Sequence, residues 1–159
     1  MLGFFKKKAP ARSIGEVELE KLLTLLHSSI LNARSSNAVH VMSSAGAEII
    51  QIQLVIRNIE LGRVLDSVKS KGYMFGVHDA LAQYLGVTKP IEGIAAISTS
   101  YMSIFGEQTA ARLVKESLDL QGNNDFMQGR AQGGQEVMDY IRSTSRVKMS
   151  PMGLVKTLL

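Results

Sequence analysis

A chain of 159 residues with 45% apolar and 20% charged side chains has the length of one domain and buries roughly two thirds of its unfolded surface, so it folds without metals or disulfides. It contains no cysteine, which excludes disulfides, thiolate zinc sites, cysteine-bound iron–sulfur clusters and thiol catalysis, and fits a cytoplasmic protein. The net charge of +4 conceals a segregation, because all fourteen acids lie between Glu16 and Asp139.

Lys6, Lys7, Lys8 and Arg12 give residues 1–12 a charge of +4, and Arg142, Arg146, Lys148 and Lys156 give the last eighteen residues the same. The ten cations between them face fourteen anions, so the body carries about −4. Residues 1–12 and 145–159 therefore read as basic, apolar tails on a helical domain over 13–144. Charge segregated in this way points to an anionic counterpart for the tails.

In chain order, Ser13 with Glu16 three residues later forms a capping box before Val17, Leu19, Leu22, Leu23, Leu25, Leu26, Ile30 and Leu31, and predicts a first helix closed near Ser35–Asn37. Its apolar positions cover about half the circumference, wider than one packing face needs, so a second side must be covered by the body or by a partner. From Val39 to Val68 two periods compete. Ile50, Ile52, Leu54 and Ile56 alternate as in a strand, whereas Leu61, Val64, Leu65 and Val68 keep helical spacing. A helix from about 45 to 70 is the preferred reading, with a short hairpin near 39–56, and hence an α+β fold, as the alternative.

Beyond Gly72 a helix near Val77–Leu85 stops at Gly86, and Thr88 and Pro90 open the next, which runs through Phe105. Gly106 precedes a helix at 107–120, supported by Arg112 with Glu116 and Lys115 with Asp119. The glycines and asparagines of 121–134 predict a flexible loop, followed by an amphipathic piece at 135–142; Pro151 interrupts any helix in the last segment. The fold expected is mainly α, a compact bundle of about five to six helices.

No stretch reaches the ~18 to 20 apolar residues of a membrane span, and Leu2–Phe5 is too short, with its lysines on the wrong side, for a secretory signal. The expectation is a protein neither exported by that route nor integral to a membrane.

The sequence assigns no catalytic, cofactor-binding or metal-ligating residue. His27, His40 and His78 fall in no metal-ligand spacing, and no G-x-S-x-G elbow surrounds any serine. A serine nucleophile would need one of those histidines brought to it by tertiary structure. Gly129 and Gly134 frame a loop of phosphate-cradle length, but Gln135 and Glu136 stand where Lys and Ser or Thr are needed. Ala80, Leu81, Ala82, Leu85, Gly86 and Val87, followed by Thr88, Lys89 and Pro90, resemble the first helix and turn of a repressor-type helix-turn-helix. The pattern over 78–98 departs in its second helix, where Ile91 and Ile94 sit one position early and Glu92 would face phosphates.

The tails carry the functional expectation. Leu2, Phe4 and Phe5 beside Lys6, Lys7 and Lys8 combine an apolar wedge with a cation cluster, and Arg146, Lys148, Met152, Leu154 and Lys156 repeat the combination at the other end. They predict a non-enzymatic interaction protein, a subunit of a homo-oligomer or larger assembly, whose tails dock on acidic surfaces. The alternatives are nucleic-acid binding, through tail contacts to phosphate or the degenerate helix-turn-helix, and a weak peripheral membrane contact through residues 1–8.

Overall fold

The computed structural model describes residues 14–144 and 150–159, and among them the backbone forms seven α-helices and no strand. They are α1 (Ile14–Leu31), α2 (Ala38–Ile56), α3 (Leu61–Asp66), α4 (Val68–Leu85), α5 (Pro90–Phe105), α6 (Glu107–Asp119) and α7 (Asn124–Arg142). Short 3-10 turns at Ser35–Asn37 and Gly153–Leu158 complete the described chain. The fold is mainly α, with more helices than the five to six expected.

Punctuation residues act where their chemistry places them. Ser67 caps α4 by accepting the Ser70 N–H, and Gly86 ends that helix in the left-handed region at φ 72°, where a Cβ would be strained. Pro90 opens α5, and Gly106, at φ 85°, separates α5 from α6.

Three expectations are corrected. The segment read as one helix over 45–70 is three: α2 stops at Ile56, the chain turns through Asn58 at φ 47°, and α3 and α4 follow. The hairpin alternative over 39–56 lies wholly within α2, whose apparent alternation reflects a helix buried around most of its circumference, with even Gln53 enclosed. The stretch Ser35–Ile56 is long and apolar enough to cross a bilayer by length and composition, but 61% of its most apolar part is buried inside the fold, as in the core helix of a globular protein.

The third correction concerns 121–134. Only Leu120–Asn123 connects; the Asn123 side chain accepts from the N–H groups of Asp125 and Phe126 and so starts α7. Two of the glycines that suggested a loop, Gly129 and Gly133, are the packing face of that helix. A Cβ on Gly72 or Gly76 of α4 would lie 2.0 Å from the carbonyl oxygen of Phe126 or Arg130, and one on Gly129 or Gly133 of α7 would lie 2.0 or 2.2 Å from that of Lys69 or Tyr73. Both residue series ascend together, so α4 and α7 run parallel with their backbones in contact, at a spacing where Cα–H groups meet carbonyl oxygens.

A parallel pair needs a return path, which α5 and α6 supply. Around this axis α2 packs on α4 and α5, α6 covers α5, and α1 lies at the edge against α2 and α7. Tyr73, Met74, Val77, Leu81, Val137 and Tyr140 form the fully buried centre. Arg130, bonded to Asp79 at 2.8 Å and lying over the Phe75 ring, closes the α4/α7 seam on one side.

Candidate interaction site

Tertiary structure does bring a serine to a histidine. The Nδ1–H of His78 donates to the Met74 carbonyl at 2.8 Å, which leaves Nε2 as the acceptor for the Ser100 hydroxyl at 2.7 Å. Burial lowers the imidazole to about 4, offset only in part by the bond to Met74, so the ring is neutral. Both residues are buried, Tyr101 packs edge-on against the ring, and Gly46 of α2 leaves no room for a Cβ beside it. A nucleophile must meet its substrate, and this pair is closed off from solvent; it pins α4, α5 and α2 together. His27 is likewise structural: its Nε2–H donates to the Ile141 carbonyl and its ring packs on Tyr140.

The frame from Gly129 to Gly134 lies inside α7, with Gly129 and Gly133 pressed onto α4, so no loop is free there to aim N–H groups at an anion. The corner at Gly86 leads into α5, whose exposed positions include Ile91, Ala95, Thr99 and Met102 rather than the Arg, Lys, Asn or Gln that read base edges, while Glu92 pairs with Lys89 at 3.3 Å. Among the described residues no group of three or more His, Asp or Glu is gathered as a metal site.

Of the tail residues, Leu2, Phe4, Phe5, Lys6, Lys7, Lys8, Arg146 and Lys148 lie outside the described residues. Leu154 is fully buried within its own chain, Met152 is half-buried and Lys156 is exposed. A polar clasp holds this segment. Glu136 accepts from the Gly153 N–H at 2.9 Å and from the Tyr73 hydroxyl at 2.6 Å, and Gln53 Oε1 accepts from the Leu154 N–H at 2.9 Å. The Ser70 and Thr157 hydroxyls share a 2.6 Å bond. Burial and the neighbouring Glu136 carboxylate push the Tyr73 hydroxyl well above the phenol range, so it remains a donor. Sequence reasoning missed Gln53, Tyr73 and Glu136; a polar residue inside the apolar run of α2 was the available signal.

Among the described residues, α1 and α2 leave an apolar surface exposed. α1 packs inward through Leu23, Leu26, His27 and Ile30, and its second apolar side is exposed: Leu22 at 41% and Leu25 at 69%. Across from it Val55, 76% exposed, and Ile56 end α2. Between the helices runs a groove of about 540 Å³, lined by Leu19, Leu22, Ile52, Val55 and Ile56 together with Gly15, Gln51, Glu18 and Glu48. Partial burial raises the Glu48 carboxyl above its usual value. Neither Glu18 nor Glu48 has a cation at ion-pair distance among the described residues. The groove is thus apolar with unneutralised negative charge, suited to apolar side chains accompanied by cations. No family model matches the chain, and no curated protein or solved structure matches it.

Proposed function

We propose that this protein is a non-enzymatic, helical interaction subunit that assembles with further copies of itself. The observation that supports this reading is the apolar face shared by α1 and α2, where Leu22, Leu25, Val55 and Ile56 remain in contact with solvent around a groove. A helix at the edge of a bundle needs one apolar stripe, and α1 carries two. Large apolar side chains gathered on one face mark protein contacts, and association removes them from water at about 25 cal/mol per Å². The basic tails then meet the acidic body of a neighbour, which steers encounter more than it adds affinity.

Amide hydrogen exchange on the intact chain tests this. Raising the concentration about a hundredfold should slow exchange along α1 and the end of α2 selectively, because association protects only the surface it covers. Exchange independent of concentration throughout α1 would contradict the reading.

A further inference from the structure

The groove between α1 and α2 defines its own occupant by chemistry, reach and position. Its lining offers apolar side chains with Glu18 and Glu48, and the complementary ligand carries aromatic or aliphatic groups followed at once by cations. The sequence Leu2-Gly3-Phe4-Phe5-Lys6-Lys7-Lys8 has that order. Gly15 lines the groove, so residues 1–13 join the described chain beside its mouth. From Gly15 to Leu22 the groove follows α1 for about 10 Å at the helical rise, and seven extended residues span about 23 Å, so reach is ample.

The choice between copies follows from what else is exposed. A segment turned back into its own groove would leave Leu25, which is not part of the groove lining, bare to solvent. A second copy that lends its segment also brings its own α1 to that face, and a two-fold pairing presents the same patch from both copies. We infer that the α1/α2 groove is the seat of Leu2–Lys8 from a second copy of the chain, with Leu2, Phe4 and Phe5 against Leu22, Ile52 and Val55 and the lysines toward Glu18 and Glu48. This inference rests on the self-association proposed above.

The test uses full-length protein and a fluorescently labelled synthetic peptide of residues 1–12. The acceptor is the full chain carrying Phe4→Ser and Phe5→Ser, with and without Glu18→Lys or Glu48→Gln; Glu18 is exposed, so its substitution leaves the fold intact. The peptide should bind saturably, weaken about tenfold with Glu18→Lys, and weaken again as salt rises. The serine-substituted chain should be monomeric and the wild type oligomeric.

A serine-substituted chain that still assembles leaves self-association standing and overturns the seat. A wild-type monomer overturns self-association, and saturable peptide binding to that monomer places the segment in its own groove and overturns the second-copy assignment. A peptide that ignores the protein and binds vesicles of anionic phospholipid also overturns the inference.

Discussion

Gly76 of α4 and Arg130 of α7 approach so closely that a Cβ on the glycine would lie 2.0 Å from the arginine carbonyl oxygen. With Gly72, Gly129 and Gly133 in equivalent contacts, the spacing of the parallel central helices is set by the absence of side chains. Glycine in a helix costs about 1 kcal/mol against alanine, and the close packing of two backbones must offset that cost four times.

Gly76→Ala should therefore destabilise the protein by about 3 kcal/mol or more, because backbone cannot yield as a side chain can. Gly62→Ala, in α3 with nothing within 4 Å of the added carbon, should stabilise by about 0.5 kcal/mol. Urea denaturation of the two variants measures both; equal destabilisation would show that the glycine contact does not set the helix spacing.

His78 gives the fold a defined acid sensitivity. The folded protein keeps the ring neutral down to about pH 4, whereas an unfolded chain takes up the proton near the ordinary value of 6.5. Between those values the unfolded state binds more protons, so this contribution to stability is constant above pH 6.5 and falls by about 3 kcal/mol as pH drops to 4. Subtracting the pH profile of His78→Gln from that of the wild type isolates the contribution. Ring signals of His78 titrating near pH 6.5 in the folded protein would refute it.

Tyr73→Phe removes one donor from Glu136 and leaves its carboxylate with Gly153 and Gln132. The expected loss is about 2 kcal/mol, as for a hydrogen bond to a charged group. Its effect should concentrate in the C-terminal segment, with the amides of Gly153 and Leu154 exchanging faster while Val77 and Leu81 in α4 keep their protection. Uniform acceleration across the molecule would mean that the clasp is not a separate unit.

These relationships show what the residues disclose before folding. The helix stops at Gly86 and Gly106 and the start at Pro90 are local chemistry and are readable directly. The Gly-rich run after Leu120 reads as a loop because glycine disfavours helix locally; only a second helix with glycines at matching positions reverses that, and Gly72 and Gly76 stand more than fifty residues earlier. The proposed interaction surface is legible in half. The excess width of the apolar face of α1 announces an uncovered side, but nothing in the sequence places Glu48 and Val55 of α2 opposite it. In the same way Leu154 reads as a docking residue, while its seat among Gln53, Tyr73 and Glu136 is assembled from three helices.

Self-association through α1 is the central claim, and the mass of the intact protein in dilute salt is its most direct test. Size-exclusion chromatography with light scattering at about 50 mM salt, where charge contacts are little screened, should give a multiple of 17.3 kDa for the wild type. Leu25→Glu, at an exposed position where the fold itself loses nothing, should return a single 17.3 kDa chain with unchanged helical content. A wild type that elutes as one chain, or a Leu25→Glu variant that assembles as fully as the wild type, would contradict the account.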